Sequence, residues 1–185
     1  LEARELVCFG TGKTREELVR DGQLYASPEL ESRVRELVNR HLAGEPVAYL
    51  IGEWEFYGLQ LHVDRNVLIP RDDTCAVAEL AIQQSLFLDS KPRILDLCTG
   101  SGCIGLAIAS RVKDAKVTLA DLSAEALAVA KKNITAQKLT GRVSCIQADP
   151  NLLASDPVND RQKLLCADAL DLHRLTRELL LSTCY

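Results

Sequence analysis

Two carboxylates and a pair of glycines carry the strongest chemical signal in this chain. Asp96 closes the apolar run Ile94-Leu95, and the turn Cys98-Thr99-Gly100-Ser101-Gly102 follows at once. Asp121 closes a second apolar run, Val117-Thr118-Leu119-Ala120. Glycines let a backbone pass close to a ligand with no Cβ in the way. An acid at the tip of the next strand is placed to accept both hydroxyls of a ribose. Strand, Gly-rich turn, helix, strand and acid therefore predict a nucleoside-bearing cofactor. Gly100-Ser101-Gly102-Cys103-Ile104-Gly105 is a literal G-x-G-x-x-G, the pattern of a dinucleotide site. Asp96 shifts the balance, because a carboxylate repels a pyrophosphate but attracts the ammonium of S-adenosylmethionine. The residues thus favour a methyl donor over a nicotinamide cofactor, which stays as the alternative.

Positioning these groups takes alternating strands and helices. Pro70 breaks the segment before them, and Asp72, Asp73 or Thr74 is placed to cap a helix from Cys75 to about Leu86. The strand at Ile94 leads through the turn into a helix from Cys103 to about Ser110. The strand Val117–Leu119 and a Ser123-capped helix to about Asn133 come next, and Val143-Ser144-Cys145-Ile146-Gln147 reads as a third strand. Such alternation predicts a parallel sheet with right-handed crossovers. Asp96, Gly100, Asp121 and Asp149 then all lie at carboxyl ends of strands, where ligands bind. Asp149 either accepts a hydrogen bond from an adenine amino group or is an ordinary loop acid.

Upstream the texture differs. Leu1, Leu6 and Val7 fit a short helix stopped by Gly10-Thr11-Gly12, and Thr14 with Glu17 forms a capping box for the next. Ser27-Pro28 opens a third helix, with Leu30, Val34, Leu37, Val38 and Leu42 as its apolar stripe. From Ala48 to Ile69 the pattern turns strand-like. The aromatic run Trp54 to Tyr57, then Gly58, then alternating Leu59, Leu61 and Val63 predict a hairpin, with His62 on its solvent side.

Composition sets the limits. Over 185 residues, 47% are hydrophobic and 26% charged, as in an ordinary globular protein, and the net charge of −4 gives no reason to expect a nucleic-acid backbone as direct partner. No run is long enough to cross a membrane. The seven cysteines are scattered, without a C-x-x-C pair or a histidine cluster, which predicts reduced thiols in the cytoplasm and no metal. Cys98, Cys103 and Cys145 read as small apolar residues. The chain opens on Leu1 and contains no methionine, which predicts a piece of something longer.

Four segments together point further: Gly44-Glu45-Pro46-Val47-Ala48-Tyr49-Leu50-Ile51-Gly52, Glu55-Phe56-Tyr57-Gly58-Leu59, Leu68-Ile69-Pro70-Arg71 and Asp96-Leu97-Cys98-Thr99-Gly100-Ser101-Gly102. In order and spacing they resemble the PrmC/HemK-type peptide chain release factor glutamine N5-methyltransferases, over residues 1 to about 149. The resemblance implies a helical release-factor-docking domain (1–50), a β-hairpin linker (51–70) and the N-terminal part of a Rossmann-like class I S-adenosylmethionine-dependent methyltransferase domain (71–149), an α/β fold left incomplete. It implies methyl transfer from S-adenosylmethionine to the glutamine of the release factors' Gly-Gly-Gln loop. Asp96, Cys98, Thr99, Gly100, Ser101 and Gly102 would form the cofactor loop, with Asp121 the ribose acid and Asp149 by the adenine. Pro70 and Arg71 would border the substrate site.

The departures from the family pattern are equally specific. Cys98 stands where a glycine is common, and Asp72-Asp73-Thr74-Cys75 lacks the usual acid after the threonine. Asn-Pro-Pro-Tyr, the motif expected to clamp the substrate amide, does not occur in the chain, so no catalytic residue is assigned. Residues 150–185 read as an atypical tail, a polar loop and then a helix-like stretch with Leu164, Leu165, Leu172, Leu175, Leu179 and Leu180, leaving nothing to build further strands. A non-catalytic release-factor-binding module is the other expectation.

Overall fold

A computed structural model describes residues 2–23, 25–87 and 91–149, and the backbone of 162–166. The chain divides into two compact units, Leu1–Glu53 and Trp54–Tyr185.

The first unit is helical. α1 (Glu2–Thr11) ends where the Thr11 hydroxyl turns back to the Val7 carbonyl. α2 (Arg15–Arg20) starts on the predicted capping box, with the Glu17 amide donating to Thr14 Oγ1 at 3.2 Å and the Thr14 amide to Glu17 Oε2 at 2.9 Å. α3 (Pro28–Leu42) is capped by Ser27. Its stripe is narrower than expected: Leu37 is buried, but Leu42 is 77% exposed. α4 (Val47–Ile51) corrects the strand-like reading of this stretch. Pro46 sets its entry, Gly52 at φ 80° ends it, and Val47, Ala48 and Leu50 turn inward at helical spacing. An apolar run this short has no period that separates helix from strand. Leu6, Leu37, Val47 and Leu50 form the unit's core.

In the second unit, β1 (Glu53–Phe56) and β2 (Leu59–His62) make the expected hairpin. Its two-residue turn holds Tyr57 at φ 54° and Gly58 at φ 76°, both left-handed, as a type I′ turn requires. Tyr57 is a poor residue for that backbone, and its side chain is held: the hydroxyl donates to Glu79, and the Arg111 guanidinium lies 5.2 Å from the ring centroid. His62 is half-buried rather than solvent-facing.

α5 (Thr74–Leu86) begins after Asp73, which occupies the cap position without a side-chain cap bond. Its backbone is already helical, and its carboxylate lies 3.3 Å from Arg71 instead. β3 (Arg93–Leu97), α6 (Cys103–Arg111), β4 (Lys116–Asp121), α7 (Ala124–Ala136) and β5 (Val143–Gln147) follow as the alternation predicts. α6 shows no amphipathic stripe because Ile104 to Ala109 are all buried. With Ile94, Val117, Leu119, Ala130, Ile134 and Val143 they form the main core.

The tail holds the main correction. Residues 162–166, expected in a helix-like stretch, form β6 (Gln162–Cys166), parallel to β3 with Arg93 opposite Gln162 and Leu97 opposite Cys166. The open edge of β3 offers a row of unpaired amides and carbonyls, and that tertiary demand overrides a local leucine-rich preference. The rest of the tail lies outside the described residues.

The sheet order is β5-β4-β3-β6, all parallel. β4 and β5 extend to one side of β3 and β6 to the other. The order therefore reverses at β3, and the crevice beyond its carboxyl end is where such sheets take ligands.

Candidate functional site

Everything at this crevice hangs on the five residues after β3. The turn needs three left-handed residues in five: Cys98 (φ 55°), Gly100 (φ 54°) and Gly102 (φ 85°). It is tied down internally, with the Thr99 amide donating to the Ala120 carbonyl at 3.1 Å and the Gly102 amide to the Thr99 carbonyl at 2.8 Å. Thr99 and Ser101 are buried, whereas Cys98 and Gly100 are half-exposed. A Cβ built on Gly100 would meet nothing within 4 Å, so its Cα faces open space. Gly102 differs, since its Cβ would stand 3.0 Å from Leu119 Cδ1.

Asp96 has a role that its sequence position did not reveal. It is wholly buried, and Oδ2 accepts from the Thr99 hydroxyl at 2.7 Å and the Gly105 amide at 2.9 Å. α6 has no side-chain cap of its own, so this carboxylate from the neighbouring strand serves its first turn. These two bonds make the carboxylate a brace between β3 and α6. Among the described residues Oδ1 has no hydrogen-bond partner. Desolvation pushes the Asp96 carboxyl up to about 6, with the Thr99 and Gly105 bonds opposing the rise and the charge of Asp121 adding to it.

Asp121, half-buried at the end of β4, accepts from the Gly100 amide through Oδ2 at 2.9 Å and from the Ser123 amide through Oδ1 at 3.0 Å. Two bonds leave lone pairs on both oxygens. The segment after β5 joins here, as the Ala148 amide donates to the Asp121 carbonyl at 3.0 Å and Gln147 reaches the Leu122 carbonyl at 2.9 Å. Asp149 is therefore carried to the same end of the sheet. Leu122, 62% exposed beside Asp121, is an apolar surface that the sequence reading missed.

Pro70 and Arg71 line a different, open groove of about 490 Å³, with Trp54, Ile69, Asp72 and Asp73. Another groove, of about 630 Å³, lies among Arg93, Lys116, Thr118 and Arg142, towards the amino ends of the strands. That is the end of a parallel sheet from which ligands are absent as a rule.

Cysteine chemistry adds little here. Cys103 is pushed up to about 12 by burial and the neighbouring Asp96 charge, and so stays a thiol. Cys98 matters through its backbone. A non-glycine residue in the left-handed region costs about 1–2 kcal/mol, and glycine returns roughly half of that as unfolded-state entropy. Cys98→Gly is therefore expected to raise the unfolding free energy by about 0.5–1 kcal/mol in urea titration. An unchanged or lower value would show that the Cys98 side chain makes up for its own strain.

Asn133 is the other residue that sequence reading missed. It is fully buried on α7 and bonds to both Ser101 and His62. The signal was present in the spacing: Asn133 continues the buried face of Ala126, Leu127, Val129 and Ala130. A polar side chain at a core position implies a built hydrogen-bond set.

Residues 1–52 match the PrmC N-terminal domain family, and residues 78–156 match the methyltransferase small domain family. The release factor glutamine methyltransferase of Bordetella pertussis is 42% identical over 168 residues, 91% of this chain and 60% of the relative. That of Chlorobaculum tepidum is 43% identical over 137 residues, covering 69% and 47%. The chain thus spans 46–60% of the length of these curated relatives. Among solved structures, the delta-N METTL16 MTase domain superposes with a TM-score of 0.50 at 15% identity, over 69% of this chain and 66% of that one. At that identity the likeness is one of fold.

Proposed function

We propose, from the premise that this chain belongs to the PrmC-type release factor glutamine methyltransferase family, that the protein methylates the side-chain amide nitrogen of the Gly-Gly-Gln glutamine in peptide chain release factors, with S-adenosylmethionine as donor. The observation that carries the reading is Gly100. Its Cα faces open space at the strand-order reversal, and its amide is held by the acid that the ribose would need.

The residues present fit the cofactor. Gly100 to Gly102 allow close backbone approach, and the free lone pairs of Asp121 suit the ribose hydroxyls. Leu122 offers an apolar surface to a purine face, and Asp149 is carried to the edge where an adenine amino group would lie. When bound, the cofactor supplies an electrophilic methyl on a sulfonium. Asp96 acts at one remove, holding Thr99 and the first turn of α6 so that the loop keeps its shape. Cys98 and Ser101 serve through their backbone, and Thr99 also through the hydroxyl it donates to Asp96. Pro70 and Arg71, with Trp54, are assigned to the border of the peptide site.

An amide nitrogen is a poor nucleophile because its lone pair is shared with the carbonyl, so the protein's task is to align it with the methyl group. With the cofactor bound, the amide lone pair would take the methyl as the C–S bond breaks to a thioether, and the nitrogen would give its extra proton to water. Residues 1–50 are assigned to docking the release factor, and the cytoplasm, where translation ends, is the proposed location. Among the described residues no helix is long and apolar enough to cross a membrane, and no three His, Cys, Asp or Glu side chains group as a metal site.

Calorimetric titration of the chain with S-adenosylhomocysteine and, separately, with NADH tests the reading. Binding of the first alone is expected, weakened about 10- to 100-fold by Asp121→Asn, which keeps the shape but loses the charge. Binding of NADH alone would overturn it. Incubation with a release factor and labelled donor then separates enzyme from docking module: a gain of one methyl group on the glutamine is expected, and binding without that gain would favour the module.

A further inference from the structure

We infer that Asn133 is a positioning residue that locks the β-hairpin to the cofactor loop, so that the two cannot move independently. Its amide forms three hydrogen bonds, all to backbone. Oδ1 accepts from the His62 amide at 2.7 Å, and Nδ2 donates to the His62 carbonyl at 3.0 Å and to the Ser101 carbonyl at 2.9 Å. The two carbonyls fix which way the amide faces. Both of its donors are used, one on each element.

The geometry is that of a substitute strand. His62 presents an amide and a carbonyl on the edge of β2, and Asn133 answers both as a neighbouring strand would. One turn later, Gln137 Nε2 donates to the Gln60 carbonyl at 2.6 Å, a second anchor from the same helix to the same edge. Of the two side chains, Asn133 alone also reaches the loop, at Ser101, between the half-exposed Gly100 and the buried Gly102. The chain runs on from β2 through Val63 to Leu68-Ile69-Pro70-Arg71, the assigned border of the peptide site. One buried side chain thus sets the place of the donor loop against the segment that leads to the acceptor.

No other residue type does this at 133. Asp has the same shape but offers two acceptors to two carbonyls. Leu fills the space but bonds to none of the three backbone groups, one of which, the Ser101 carbonyl, is buried. Ser bonds to one element and not the other.

The test does not depend on the ligand. Amide hydrogen exchange is compared in the whole chain for the unchanged protein, Asn133→Asp and Gln137→Ala. In Asn133→Asp, amides of the loop (Gly100, Gly102) and of β2 (His62) are expected to exchange at least about tenfold faster, and to do so together. Gln137→Ala loosens β2 and leaves the loop unchanged. Asn133→Ser gives the same reading if the aspartate variant does not fold. Loop exchange unaltered in a folded Asn133 variant, or altered equally by Gln137→Ala, would overturn the coupling.

The functional consequence rests on the cofactor reading above. S-adenosylhomocysteine affinity falls about tenfold in Asn133→Asp and stays at the unchanged protein's value in Gln137→Ala. If the unchanged chain binds no S-adenosylhomocysteine, the cofactor reading fails while the exchange result still decides the coupling.

Discussion

Gly105→Ala is expected to lower the unfolding free energy by about 3 kcal/mol, near the top of the range for overpacking. The new Cβ would stand 2.3 Å from Leu119 Cδ2, 2.9 Å from Asp96 Oδ2 and 3.1 Å from Val117 Cγ1. Leu119, Asp96 and Val117 are all buried, so none can swing into solvent. The methyl group would also press on the carboxylate that holds Thr99 and the first turn of α6. Gly105 is thus a packing glycine, where helix and strand touch. Gly100→Ala is its counterpart: the left-handed backbone costs about 1–2 kcal/mol, but the Cβ meets no protein atom. Urea titration and S-adenosylhomocysteine titration of both variants separate the roles. Gly105→Ala should lose stability and Gly100→Ala should lose the ligand. Equal stability losses would show that Gly105 has room that the packing denies.

The second large effect is one of pH. A free aspartate titrates near 3.8, and Asp96 in the fold near 6. Between those values the folded chain keeps a proton that the unfolded chain has released. The stabilisation this gives is complete below about pH 4 and disappears as pH rises through about 6. The gap corresponds to roughly 3 kcal/mol. Carboxyls held low, such as Asp21 at about 2 beside Arg20 and Lys13, act in the opposite sense and at lower pH. The measurement is therefore a difference. The unfolding free energy of the unchanged chain minus that of Asp96→Asn should fall by roughly 2 kcal/mol from pH 4 to pH 6.5, most of the full gap, then level off. Parallel curves would mean that the Asp96 carboxyl is solvated, against the structure.

Sequence spacing revealed what is settled within a few residues of chain. The Thr14–Glu17 capping box, the Ser27 and Ser123 caps, the Tyr57–Gly58 hairpin and the glycine turn after β3 are local chemistry, and each stands where its residues put it. What stayed hidden depends on partners distant in sequence. α4 is helical because its buried face meets Leu6 and Leu37, and β6 is a strand because β3 has a vacant edge. The brace that Asp96 makes to α6 was hidden because it depends on how strand and helix pack. Asn133 lies 71 residues from His62 and 32 from Ser101, which no local pattern reports.

The place of β6 has a consequence in time. β3, α6, β4, α7 and β5 are contiguous, and each strand pairs with the one nearest in sequence. β6 must cross back past β5 and β4 to reach β3, closing a loop of more than sixty residues. Chain closures of that length come late, because their entropy is met only after local contacts have formed. Until then β3 has a bare edge beside the most chemically specialised turn in the molecule, a template for any other extended chain. Pairing with β6 thus covers, late in assembly, the strand edge that lies beside that turn.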